Sequence, residues 1–255
     1  MKIIESEKTI AENYGVLQSK IRGFVETLQH DPLKNRKKII EVCHVGKFLL
    51  LLGGGEQIER LSESPDFIIS KDGDLIGLEH QLIVHPKSKE REGFLENLFA
   101  IAESRLKSDP DLPNFLANCD IKGDVIIQLQ AKEALMEEIV TVLRHYVLRG
   151  ELIPNSIIEE IRLAPHTLKN ICPNFGAWWQ KEITPDIIRE SIANKESKID
   201  SYLGPDVKEL WLLLVIGGLN SSSYELRDET DLYVSTRFDK VYLLEDFKAR
   251  LIEVK

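Results

Sequence analysis

The sequence predicts a mixed α/β fold, and three stretches carry that prediction. Residues 64–81 read as two short strands joined at Asp72-Gly73, a pair suited to a two-residue hairpin turn. Residues 184–202 read as a capped helix with a single apolar stripe. Residues 210–216, Leu-Trp-Leu-Leu-Leu-Val-Ile, are an unbroken apolar run of strand length, the pattern of a strand buried on both faces.

A chain of 255 residues can bury a substantial core. No repeat, low-complexity tract or linker divides it, so 1–255 reads as one elaborated domain. With 43% hydrophobic and 29% charged residues, disorder is excluded. No apolar run reaches membrane-spanning length. The N-terminus, Met-Lys-Ile-Ile-Glu-Ser-Glu-Lys, is charged where a signal peptide is apolar, so a cytoplasmic location is expected. The net charge of −9 excludes a surface coated for non-specific nucleic-acid binding but leaves room for a local basic groove. Cys43, Cys119 and Cys172 are odd in number and far apart, and read as reduced thiols. The six histidines form no HExxH pair.

In chain order, Ile10, Tyr14, Leu17, Ile21, Phe24 and Leu28 recur at helical spacing, which predicts a helix over 6–30 ended by Asp31-Pro32. A second helix is expected over 33–52. Gly53-Gly54-Gly55 then reads as a helix cap and turn, because no Gly-Lys-Ser/Thr follows to make a phosphate loop. After the hairpin, 85–92 reads as a polar loop and 93–107 as a helix, with Pro110 and Pro113 as breakers. A strand over 124–130, a helix over 131–148 and a weak strand over 157–163 follow. Thr184 caps the next helix, Pro185 suits its first position and Gly204-Pro205 ends it. Ile188, Ile192, Lys195, Ile199 and Tyr202 form its stripe, with a lysine at the centre. A polar connection over 220–231 leads to a last apolar segment at 241–244.

The hairpin carries the chemistry. The two-residue turn pairs Lys71 with Asp74 and places Asp66 opposite Glu79. Asp66, Ile68, Gly77, Glu79 and Gln81 then share one face, and Phe67, Ile69, Ile76 and Leu78 the other. Directly opposed acids have Cβ atoms only ~4.5–5.5 Å apart and repel each other, so a cation between them would turn repulsion into a site. Two carboxylates and the His80 carbonyl suit Mg²⁺ or Mn²⁺, which would polarise a water for phosphodiester attack. The plainer reading is a solvated hairpin face. His80 alternates away from Glu79.

Pro65-Asp66 followed by Glu79-His80-Gln81 resembles the PD-(D/E)XK nuclease superfamily. The resemblance implies a restriction-endonuclease-like αβββαβ core in which the Asp and Glu sit on adjacent strands and bind Mg²⁺. On that reading 1–32 is a helical N-terminal extension and 85–183 a family-specific α/β insertion. The third motif residue is usually Lys, which helps to activate water, and Gln81 departs from it. Lys195 is the candidate substitute; its alternative is a lysine snorkelling from the helix edge. The superfamily's helical acid maps to Glu41, with Glu56 and Glu59 as competitors. Lys198 and Tyr202 look similar to an element of its exonuclease-like branches, although such an i, i+4 pair is common on ordinary helices. Trp178-Trp179 reads as packing under a loop or as a stacking platform for bases.

The expected function is therefore a metal-dependent nuclease with nucleic acid, DNA first, as its partner. No membrane is involved, and a homodimer is left open. A lapsed nuclease-fold protein that binds nucleic acid or a protein is the alternative, made credible by Gln81. A third class is an enzyme using the two acids on another substrate such as a glycoside.

Overall fold

In a computed structural model of the protein, the described residues are 2–5, 10–123, 125, 129–176, 180–202, 204, 206–227, 232 and 234–255. The first elements are β1 (Lys2–Glu5), α1 (Ile10–Leu28), α2 (Pro32–Leu52), β2 (Gln57–Leu61), β3 (Phe67–Lys71) and β4 (Asp74–Leu82). Then come α3 (Pro86–Lys107), β5 (Phe115–Ile121), α4 (Lys132–Arg149), β6 (Ile158–Pro165), β7 (Lys169–Asn174) and β8 (Lys181–Glu182). The last are α5 (Pro185–Glu196), α6 (Ile199–Tyr202), β9 (Val207–Ile216), β10 (Tyr224–Glu225), β11 (Lys240–Glu245) and β12 (Arg250–Glu253). The chain gathers into two compact units, one of 1–83, 182–219 and 223–255, the other of 84–181 and 220–222.

The first unit is built on a mixed seven-stranded sheet in the order β1-β12-β11-β9-β4-β3-β2. β9 runs parallel to β4 on one side and to β11 on the other. The β3–β4 hairpin pairs Lys71 with Asp74 and Phe67 with Leu78, the register that the Asp72-Gly73 turn predicts. Asp72 and Gly73 both have positive φ, +50° and +91°, as a type I′ turn requires.

Side-chain alternation divides the core of this unit in two. Phe67, Ile69, Ile76 and Leu78 pack with Trp211, Leu213 and Val215 against Val42, Val45, Phe48 and Leu49 of α2. On the other face Leu210, Leu212, Leu214 and Ile216 pack against Ile188, Ile192, Ile199 and Tyr202. β9 is buried from Leu210 onward because it serves both cores.

The helices that flank the sheet begin and end as their sequences dictate. Asp31 accepts from the Lys34 N–H at the start of α2, and Gly53 closes it at φ +70°, its N–H donating to Leu50 O. Thr184 accepts from the Ile187 N–H at the start of α5. The expected single helix from 184 to 204 is in fact two pieces. α5 stops at Glu196, and i→i−3 bonds from Lys198 N–H to Lys195 O and from Ser201 N–H to Lys198 O tighten the chain into α6.

The second unit has a three-stranded sheet, β6-β5-β7, antiparallel on the β6 side and parallel on the β7 side. Phe115, Ala117, Cys119 and Ile121 alternate inward and meet Leu95, Leu98 and Phe99 of α3 and Met136, Ile139 and Leu143 of α4. Burial pushes the Cys119 thiol up to about 12, so it stays protonated as a core residue. The 85–92 stretch is helix and not loop. Pro86 opens α3, and His85 caps it by accepting from the Ser88 N–H. Of the expected 124–130 strand, 124 and 126–128 lie outside the described residues, and Leu129–Ala131 is a 3₁₀ turn. No helix among the described residues is long and apolar enough to cross a membrane.

Candidate active site

Asp66 immediately precedes β3, where the hairpin ladder ends and backbone donors would otherwise lack partners. Its N–H donates to Glu79 Oε2 at 3.2 Å, and its own Oδ2 accepts from the His80 N–H at 3.0 Å. Each acid is thus held by the backbone of the other's strand. Behind them Gly77 gives room: a Cβ there would meet Pro65 Cγ at 2.8 Å and Leu210 Cδ1 at 2.9 Å.

Glu79 is buried, and α5 and α6 supply its partners. Lys195 Nζ lies 2.6 Å from Glu79 Oε1, and buried Tyr202 stands beside the same carboxylate. Lys195 of α5 and Tyr202 of α6 thus meet on one acid. Burial raises the Glu79 pKa, the Lys195 ammonium opposes that rise, and the nearby charge of Asp66 adds to it. Tyr202 is held as the neutral phenol, by burial first and then by Glu79.

On its other side Asp66 meets α2. Lys38 Nζ is 3.8 Å from Asp66 Oδ1 and 3.2 Å from Glu41 Oε2, and lies over the Phe67 ring. Glu41 is buried and linked to Asp66 through this lysine, with Lys37 at 3.6 Å from its other oxygen. Its competitors stand apart: Glu56 pairs with Lys71, and Glu59 is exposed. Beside Asp66 an open cleft of about 520 Å³ runs between α2 and the β2–β3 connection.

His80 points to the face opposite Glu79, as alternation demands. Its ring stacks on His44 of α2, with His80 Nε2 3.1 Å from His44 Nδ1. Burial lowers both pKa values, and for His80 the neighbouring His44, Lys195 and Lys38 lower it further.

The other expected site residues divide. Gln81 follows Glu79 by two positions on the same face of β4, and its Oε1 is buried without a hydrogen-bond partner. Lys198 is exposed in the turn between α5 and α6, away from the cluster, so of the Lys198–Tyr202 pair only Tyr202 reaches Glu79. Trp178 and Trp179 lie outside the described residues. Sequence reading missed Lys38 and His44. The signal for Lys38 was the run Lys34-Asn35-Arg36-Lys37-Lys38, whose charge stands out in an acidic chain.

Among the described residues, no group of three or more His, Cys, Asp or Glu side chains is placed to hold a metal ion. The candidate donors are all hard oxygens: the neighbouring Asp66 and Glu79 carboxylates and, two residues along β4 from Glu79, the orphaned Gln81 Oε1. Such a set fits Mg²⁺, which takes one or two carboxylates and keeps waters for the rest of its shell. No family model, curated protein or solved structure matches this chain.

Proposed function

We propose that the chain is a metal-dependent nuclease that hydrolyses phosphodiester bonds, DNA first among its substrates. The observation that carries this reading is the convergence of Asp66 and Glu79 from the β3–β4 hairpin with Lys195 of α5 and Tyr202 of α6. The run α2–β2–β3–β4, followed after the second unit by α5 and β9, supports a restriction-endonuclease-like αβββαβ core.

Asp66 and Glu79, with Gln81 Oε1, would hold Mg²⁺ or Mn²⁺, and the bound ion would supply Lewis acidity and a polarised water. The chain's own groups do the rest. Lys195 balances the charge of buried Glu79 and keeps a cation beside developing negative charge on a phosphate. Tyr202, a neutral phenol beside Glu79, adds no charge to the pair. Gln81, a neutral amide, can orient a water but cannot supply the charge of the usual motif lysine, a role that falls to Lys195.

A second reading, a lapsed nuclease-fold protein that binds nucleic acid or a protein partner, has one observation in its favour. Both acids are already met by lysines of the chain, Glu79 by Lys195 and Asp66 by Lys38. Calorimetric titration with Mg²⁺ and Mn²⁺ separates the two. One-site binding that disappears in Glu79→Gln supports the nuclease. No binding by the wild type supports the lapsed protein.

A further inference from the structure

We infer that the cleft between α2 and the β2–β3 connection is the track along which the backbone of a polynucleotide reaches Asp66. Its α2 wall carries Lys34, Lys37 and Lys38 with Glu41, and Asp66 lines it as well. The facing wall offers Leu61, Ser62 and Glu63. Phosphates therefore ride on the α2 wall, because Glu63 repels them from the other, and Leu28 and Leu61 meet sugar or base. The volume, about 520 Å³, falls in the range of a site for a small ligand, which a short stretch of chain fills. This inference rests on the nuclease reading of the Asp66–Glu79 pair.

The lysines are not explained by the helix they sit on. Cations near a helix N-terminus oppose its dipole, and the first turn of α2 contains no acid. Lys37 and Lys38 share Glu41, and Lys38 also lies 3.8 Å from Asp66. Among the described residues the Lys34 ammonium and the Arg36 guanidinium form no ion pair, although the chain holds 42 Asp and Glu against 33 Lys and Arg. The cleft's lining holds as many acids as lysines, but the charges of Lys34 and Arg36 at the start of α2 are offset by no ion pair, and beside a cleft lined by Asp66 they match a ligand with regularly spaced negative charges.

The test measures fluorescence anisotropy of a labelled single-stranded DNA, the same sequence as RNA, and the DNA duplex, in EDTA so that nothing is cut. Affinity is followed against salt for the wild type, for Lys34→Gln with Lys37→Gln, and for Lys208→Gln as an exposed control. Loss of two phosphate contacts should lower the slope of log K against log salt by about 1.4 for a single strand and about 1.8 for the duplex. Lys208→Gln should leave it unchanged, and the oligonucleotide that the wild type binds most tightly at one fixed salt concentration names the substrate. An unchanged slope in the double variant would overturn the cleft while leaving the nuclease reading standing. Absence of wild-type binding to all three would also overturn the cleft, and hydrolysis assayed with Mg²⁺ then decides the nuclease reading by itself.

Discussion

The ammonium of Lys195 lies 2.6 Å from Glu79 Oε1, across 116 positions of sequence, and it is the contact that converts an acidic hairpin into a mixed-charge site. Two neighbouring carboxylates alone would repel. With Lys195 on one side and Lys38 on the other, each acid has a cation without losing its place beside the other. Removing either acid therefore strands a partner, which changes the stability expected from the hairpin considered in isolation.

Lys195→Met should cost ~2–3 kcal/mol in urea denaturation, because Glu79 stays buried beside Asp66 with no cation. Glu79→Gln should cost less, and the double variant should recover most of the loss, giving a coupling of ~1–2 kcal/mol. Additive single effects would show that the ion pair is not formed in solution.

Gly77→Ala should destabilise by ~1–3 kcal/mol, since the new methyl meets Pro65 and Leu210 in a packed layer. The displacement acts on the residue before Asp66, so the rise in melting temperature on adding Mg²⁺ should shrink as well. Gly23→Ala on α1, where a Cβ meets nothing within 4 Å, should be neutral or stabilising by ~0.5–1 kcal/mol. Equal behaviour of the two variants would remove Gly77 from the account.

The His44–His80 pair makes stability depend on pH. Burial disfavours the protonated form of both rings in the folded protein, whereas the unfolded chain takes up protons below about pH 6.5. The folded pKa lies below the unfolded one, so this stability is complete above pH 6.5 and is lost as the pH falls below it. Each ring contributes at most about 1.4 kcal/mol per pH unit in that range. Urea midpoints at pH 7.5, 6.5 and 5.5 should fall more steeply for the wild type than for His44→Gln with His80→Gln. Parallel slopes would contradict the assignment.

Much of this geometry was legible because it follows from local rules. Asp72-Gly73 dictates the hairpin register, and from it come the pairing of Phe67 with Leu78 and the meeting of Asp66 with Glu79. Thr184-Pro185 marks the start of α5, and the run at 210–216 marks a doubly covered strand. Sequence failed where the cause is tertiary. The end of α5 at Glu196 has no Gly or Pro to announce it. β5 alternates Phe115, Ala117, Cys119 and Ile121, but two of the four are small and weakly apolar, so the period is faint. β1 and β12 are four-residue strands stabilised by pairing with each other. Lys38 reads as a solvated helix charge until β3 brings Asp66 beside it.

The central claim is that Asp66 and Glu79 work together in hydrolysis of a polynucleotide. The most direct measurement is cleavage of labelled DNA and RNA, single and double stranded, with Mg²⁺, Mn²⁺ or EDTA, by the wild type, Asp66→Asn and Glu79→Gln. The account predicts cleavage with metal alone, lowered at least ~10²-fold in each variant while its melting transition persists. No cleavage by the wild type with either metal, or cleavage that both variants retain, would contradict it.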